Sequence, residues 1–394
     1  MPRTLKAILA ITSFSLSVFS LHSQAAEPLK VGLILPMSGT FSSYGKQIEN
    51  GVKLYLKENG DTFAGRKVQL LVRDDTGAAP EISRRLAQEL IIKDKVDILA
   101  GFAMTPSAFA AAAVATEAKK PMIVMNAGTS SLTTKSPYIL RVSATVPQYS
   151  MPLGTWTAEN NMKKAFTLVA DFGPGHDAET YFKKGYMAGG GQVVGEVRVP
   201  LRNPDFSPFL QKIKDVKPDV VFIFLPSGEL PAAFLKGFKE RNLAGQGIKI
   251  VATGDLTDED SIDAIGDVAL GVVSAHHYSE AHKSPENERY VQAYYKMFPN
   301  SRPNFMSVGG YDGMHLIHDV LKKTAGDATV EKFMPAAKGI TFISPRGKVT
   351  IDPETRDIVE TIYLRKLERV GDKLMNVELA KSFPDFKDPG KTAP

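Results

Sequence analysis

Val96–Thr134 reads VDILAGFAMTPSAFAAAAVATEAKKPMIVMNAGTSSLTT. Val96–Ala100 is a short apolar run, the pattern of a strand buried on both faces of a parallel sheet. Gly101 and the small turn residues Thr105, Pro106 and Ser107 follow it. An alanine-rich stretch then runs to Lys119 with no internal Gly or Pro, which predicts a helix. Pro121 interrupts, Met122–Met125 is a second apolar run, and Asn126-Ala127-Gly128-Thr129-Ser130-Ser131 forms a second polar turn. Strand, turn, helix, strand, turn is the unit of a doubly wound α/β sheet, in which ligands lie beyond the carboxyl ends of the strands. Two such turns, with their hydroxyls and free N–H groups, suit a small anion such as a carboxylate.

The flanking sequence repeats the unit. Toward the N-terminus, Leu29–Leu35 is a strand, Phe41–Gly45 a loop, and Ile48, Val52, Tyr55 and Leu56 mark an amphipathic helix closed by Gly60. Val68–Val72 predicts a strand, and Ile82, Leu86 and Leu90 a helix. Past Tyr138–Val142, a further strand, a second α/β series begins. Its strands are Ala165–Ala170, Gln192–Val199, Asp219–Leu225, Ile248–Ala252 and Gly271–Ala275. The turn Asp171–Asp177 precedes a helix expected from about Ala178, Pro226-Ser227-Gly228 ends one strand, and Thr253–Thr257 ends another. Asp219-Val220-Val221 echoes Val96-Asp97-Ile98, which suggests two similar lobes. Helices are expected at Glu286–Phe298, Phe305–Lys323 and around Phe333. Ile340–Val349 and Glu360–Leu367 read as extended, and the chain from about Pro384 as a fraying polar tail.

The 394 residues suffice for about two domains. With 43% hydrophobic and 23% charged residues the composition is that of a globular chain. The net charge of +5 is scattered, with no basic stripe or interleaved aromatics, so nucleic acid is not an expected partner. The absence of cysteine excludes disulfides, thiolate metal sites, a Cys nucleophile and a lipidated N-terminal Cys. Residues 1–26 read as an export signal. Arg3 and Lys6 start it, Ala7–Leu21 is an apolar run too short for a bilayer span of about 20 residues, and Ser23–Ala26 offers small residues for cleavage. The expected compartment is the periplasm.

Catalytic motifs are missing. There is no GxSxG elbow and no phosphate loop. Asp171-Phe172-Gly173 lacks the companion motifs of a kinase, and Gly189-Gly190-Gly191 is not followed by a dinucleotide pattern. His276 and His277, adjacent in an expected strand, should face opposite sides. His315 and His318 share a helix face without a well-spaced carboxylate. No metal and no cofactor are expected.

Taken in order behind an export signal, PMSGTFSSYG, GFAMTPSA, NAGTSSLT and GDLTDED resemble the leucine/isoleucine/valine-binding proteins and their relatives, the solute receptors of ATP-driven (ABC) bacterial importers. The resemblance spans the mature chain. It implies a type I periplasmic-binding fold: two doubly wound Rossmann-like α/β lobes joined by a three-strand hinge. The expected lobes are 27–145 with 277–352, and 146–276 with 353–394. It also implies a monomer that captures a small carboxylate in the inter-lobe cleft and passes it to a membrane permease.

Carried over by residue, the resemblance puts Tyr44 over the ligand side chain and the Thr105 hydroxyl on the carboxylate. Ala127, Gly128 and Thr129 complete that pocket, and Asp255 meets the ammonium group of an amino acid. Thr105 and Thr129 could instead cap helices, and Asp255 could cap a local turn. Gly175 stands where those receptors carry a tyrosine, which would enlarge the pocket. Phe102 and Met104 add apolar surface. Phe41, Ser43, Ala103, Asn126, Tyr149, His176, Pro226 and Ser227 complete the candidate ligand set. The GPGxD-type turn and GDLTDED are similar to relatives that take up benzoate-type acids, so the expected ligand is an aromatic acid or a hydrophobic or branched-chain amino acid. The alternatives are a ligand-sensing domain of the same fold and a secreted α/β enzyme using Asp255 and His176.

Overall fold

Apolar runs of aliphatic residues assemble into two sheets in the computed structural model, which describes residues 27–391. The expected export signal, 1–26, lies outside the described residues. The first sheet contains β1 (Leu29–Leu35), β2 (Thr62–Phe63), β3 (Arg66–Asp74), β4 (Ile98–Gly101), β5 (Met122–Val124) and β6 (Ile139–Arg141), in the order β2-β3-β1-β4-β5-β6. All its pairings are parallel except the short β2–β3 hairpin. The second sheet runs β8-β7-β9-β10-β11 in parallel: β7 (Lys164–Ala170), β8 (Gln192–Val199), β9 (Val220–Phe224), β10 (Lys249–Thr253) and β11 (Val273–His276). Antiparallel strands extend it: β12 (Thr341–Ser344), β13 (Gly347–Ile351), β14 (Ile358–Val370) and β15 (Lys373–Phe386). This is the doubly wound α/β architecture expected of a type I periplasmic binding protein.

Each sheet is buried on both faces. Leu33, Ala100 and Ile123 pack on one face of the first sheet, and Ile34, Leu99 and Val124 on the other. Leu168, Val221 and Ala252 do the same for one face of the second, and Val169, Phe222 and Val251 for the other. That explains why these strands read as continuous apolar runs rather than alternating ones. The order reverses between β1 and β4 in one sheet and between β7 and β9 in the other. Ligand crevices open at such switch points. The turns after these four strands, and after the neighbouring β5 and β10, hold most of the candidate residues.

Two local expectations need correction. The helix after β7 begins at Gly173, not near Ala178. Pro174 at its start has the fixed φ a first turn needs, so the expected loop is helical. The C-terminal segment does not fray at Pro384, since β15 runs to Phe386. Asp388 then accepts a bond from Ser130 Oγ at 2.6 Å, and Lys391 pairs with Asp357. Buried charged partners hold a segment that is polar in composition.

Candidate ligand cleft

The first turn of the site leaves β4 through two left-handed residues. Gly101 has φ +102°, and a β-carbon there would lie 2.7 Å from the Ile34 carbonyl oxygen. Phe102 follows at φ +64°, a conformation costly for a side chain. It turns the phenyl ring into the core with Leu99 and Val124, and Ala103, Met104 and Thr105 then pass along the gap between the sheets. Thr105 opens the helix Thr105–Glu117 but makes no cap bond. Thr129, after β5, makes none either. Both Oγ1 atoms are buried with no hydrogen-bond partner among the described residues. Both side chains border Gly173: a β-carbon built there would stand 3.0 Å from Thr129 Oγ1 and 4.0 Å from the Thr105 methyl carbon, Cγ2. An unpaired buried hydroxyl costs roughly 1–3 kcal/mol, so each marks a place that favours an acceptor.

Arg141 fixes the second turn from below. Its Nη1 donates to the carbonyls of Ala127 (3.1 Å) and Thr129 (2.7 Å), and its Nη2 to Ser130 (3.4 Å). Asp357 Oδ1 holds the guanidinium at 2.9 and 2.6 Å. With the carbonyls committed to Arg141, the turn is pre-set. Ala127 N also donates to Phe102 O at 3.0 Å.

Asp255 faces the same gap from the second sheet. Thr253 Oγ1 donates to its Oδ2 at 2.9 Å, and Ser227 Oγ to its carbonyl at 3.1 Å. Burial pushes the Asp255 carboxyl up to about 6, with Thr253 and Arg365 pulling the other way. No cation forms an ion pair with it among the described residues. Burial, then Asp255, raise the Tyr44 and Tyr149 hydroxyls well above 10, so both stay protonated. The walls are aromatic. Tyr149 stacks on His276 at 4.9 Å, His276 meets Phe305 at 4.3 Å, and Phe172 lies 6.0 Å from Phe224. The cavity left between these walls is small, about 40 Å³, against roughly 300–1,000 Å³ for small-molecule sites.

Direct bonds join the two sides across the cleft. Tyr44 OH donates to Ser227 O at 3.4 Å, Gln47 Nε2 to Asp260 Oδ1 at 2.7 Å, and Ser130 N to Asp177 Oδ2 at 2.9 Å. Asn304 caps the helix Phe305–Lys323 through Met306 N and Ser307 N, and its Nδ2 reaches Asp258 Oδ1 at 2.9 Å. The cap thereby sets Phe305 at the cavity wall.

The sequence pattern of the family described as "Periplasmic binding protein" matches residues 28–372. The chain belongs to that family. Among its relatives, the Leu/Ile/Val-binding protein homolog 6 of Brucella melitensis biotype 1 is 42% identical over 382 residues, 96% of this chain and 98% of that one. A solute binding protein of an ABC transporter from Rhodopseudomonas palustris BisB5, solved in complex with 3,4-dihydroxy benzoic acid, is 53% identical with a TM-score of 0.90. The match covers 93% of this chain and 99% of that one. Its counterpart from strain HaA2, in complex with p-hydroxybenzoic acid, is 41% identical with a TM-score of 0.89, over 93% and 99% of the two chains.

In this periplasmic binding protein, Tyr44, Ala103, Met104, Thr105, Asn126, Gly128, Tyr149, Pro226 and Asp255 line one cavity. Thr129 and Ser227 stand immediately behind it. Phe41 packs edge-on against Tyr44 at 5.5 Å, and Ser43 is half-buried in the following helix; neither lines the cavity. Four expectations are corrected. Phe102 turns into the core. Ala127 spends its N–H and carbonyl inside the first half. Gly175 is absent from the lining: a β-carbon there would lie 1.8 Å from Ala170 O, so close helix–strand approach requires the glycine. His176 points outward and pairs with Asp171 at 2.7 Å, both half exposed. The expectation for His276 and His277 also changes. Strand β11 ends at His276, alternation ends with it, and both rings line the cavity 4.5 Å apart. Ser143, Ala144, Val146, Phe172, Pro174, Phe224 and Phe305 were not expected there. Phe172 and Pro174 carried a cue, both sitting in the turn after a strand; the others reach the cavity through tertiary packing.

Proposed function

We propose that this protein is the periplasmic receptor of an ABC importer and that its cleft takes a hydroxylated aromatic carboxylate. The observation that carries this reading is the unpartnered Thr105 hydroxyl in a cavity that also holds an uncompensated Asp255 between aromatic walls, with the equally unpartnered Thr129 hydroxyl next to Gly128 of the lining. The ligand carboxylate accepts from the two hydroxyls and from the Gly128–Thr129 turn. The ring lies among Tyr44, Tyr149, Phe172 and Phe305, and a phenolic hydroxyl donates to Asp255. Each charge-assisted bond contributes roughly 1.5–3 kcal/mol, so three or four account for much of the ~8 kcal/mol of a micromolar complex. The relatives solved with hydroxylated benzoic acids support the same ligand class.

The two halves, 27–145 with 277–352 and 146–276 with 353–394, act as lobes that close on the ligand about the crossing segments. The Tyr44–Ser227, Gln47–Asp260 and Ser130–Asp177 bonds hold the closed form. The closed monomer is what the permease receives. This reading needs no covalent step, and His176, which an enzyme would need beside Asp255, instead pairs with Asp171, both half exposed. A branched-chain amino acid is the second reading, favoured by Asp255 as an ammonium partner and by the relatives named for leucine, isoleucine and valine. Calorimetric titration with 4-hydroxybenzoate, 3,4-dihydroxybenzoate, benzoate and leucine separates them. Micromolar or tighter binding of a hydroxybenzoate, with leucine at least tenfold weaker, is expected; leucine binding tighter than every aromatic acid would reverse the assignment.

A further inference from the structure

His277 is buried, lines the cleft, and is held from outside it. Its Nδ1 lies 2.8 Å from Nη1 of Arg346. A guanidinium can only donate, so Nδ1 is the acceptor nitrogen and the ring proton resides on Nε2. Arg346 cannot swing away. Its Nη1 pairs with Glu360 Oε2 at 2.7 Å, its Nη2 with Asp312 Oδ2 at 2.8 Å, and Nη2 also donates to the Val142 carbonyl. Asp312 is in turn fixed by Ser344 Oγ at 2.8 Å. Arg346, Asp312 and Glu360 are each at most 1% exposed. Burial, together with Arg346, holds the imidazole well below its usual pKa, so it is neutral. Its Nε2–H finds no acceptor among the described residues. Ser143, also in the cavity lining, has a buried Oγ without a partner.

We propose that His277 is a specificity-determining residue: a neutral imidazole locked by Arg346 as a hydrogen-bond donor, which selects ligands carrying a second oxygen acceptor besides the carboxylate. The inference rests on the proposed ligand site and deepens it. A phenolic oxygen meets both demands of the cleft, donating its proton to Asp255 or Ser143 and accepting from His277. An amino-acid ammonium satisfies Asp255 but offers His277 no lone pair. Benzoate offers nothing to either once its carboxylate is engaged. The cost of an unanswered buried donor thus ranks hydroxybenzoates above benzoate and above branched-chain amino acids.

The test combines calorimetry with nitrogen-15 spectroscopy of the histidine rings. In the unaltered protein, the His277 ring should show an unprotonated Nδ1, and its Nε2–H resonance should move on addition of 4-hydroxybenzoate and much less on addition of benzoate. This measurement needs no variant to fold. His277→Leu, which keeps apolar volume but removes the donor, should weaken a hydroxybenzoate about three- to tenfold while benzoate changes less than twofold. Equal weakening of both ligands, no weakening of either, or a ring protonated on Nδ1 would overturn the assignment to His277 alone. If no aromatic acid binds the unaltered protein, the ligand reading falls and takes this inference with it.

Discussion

Replacing Thr105 by valine has opposite expected effects on the empty and the loaded protein. The two side chains are nearly the same shape, so packing against the helix Thr105–Glu117 is kept while the hydroxyl is removed. In the ligand-free protein that hydroxyl is buried with no partner. Its removal relieves a desolvation cost of roughly 1–3 kcal/mol, and the variant should be as stable as the parent or more so. In the complex the same atom donates to the ligand carboxylate. A hydrogen bond to a charged group is worth about 1.5–3 kcal/mol, so Kd should rise about 10- to 150-fold. Thr129→Val should act in the same direction, and because both hydroxyls serve one carboxylate the double variant should not be additive. Chemical denaturation gives the first quantity and calorimetry the second. A Thr105→Val protein that binds as tightly as the parent would refute the reasoning. So would one destabilised by more than about 1 kcal/mol, which would mean that the hydroxyl has an internal role.

Asp255→Asn keeps the Thr253 bond and removes a buried charge. Burial raises the folded pKa of Asp255 from its usual 3.8 to about 6, so the folded chain holds a proton that the unfolded chain releases earlier. Stability from this group is full below about pH 4 and falls as pH rises through the folded value; the variant should match the parent at pH 4 and exceed it by about 2–3 kcal/mol above pH 7 in paired denaturation curves. Asp260→Ala removes the bond to Gln47 without touching the cavity, and should speed ligand release about three- to tenfold, read by stopped-flow; an unchanged release rate would argue against a latch. Gly175→Ala forces a β-carbon onto Ala170 O and should cost about 3 kcal/mol or more, visible as a lower Tm in calorimetric scans.

The alternation of strands and helices, and the polar turns at their ends, were legible in the sequence because parallel strands buried on both faces leave continuous apolar runs such as Asp219–Leu225. The same logic pointed to the turns that carry Thr105 and Gly128, and the family resemblance pointed to Asp255; all three line the cavity. It misplaced Phe102, because a left-handed turn at Gly101–Phe102 reverses which side the ring takes. It misread Gly175, whose reason is a backbone oxygen contributed by a preceding strand. The buried Arg346, Asp312, Glu360 and His277 cluster gave no cue, because its members are separated in sequence and each alone resembles a surface charge. Phe305 and Ser143 enter the cleft only through the crossing of the two halves.

A crystal structure of the protein with 4-hydroxybenzoate would bear on the clasp itself. The ligand carboxylate should lie within hydrogen-bond distance of both Thr105 Oγ1 and Thr129 Oγ1, with the phenolic oxygen directed toward Asp255 and His277. A carboxylate seated away from both threonines, or a ligand bound outside the gap between the two sheets, would contradict the account.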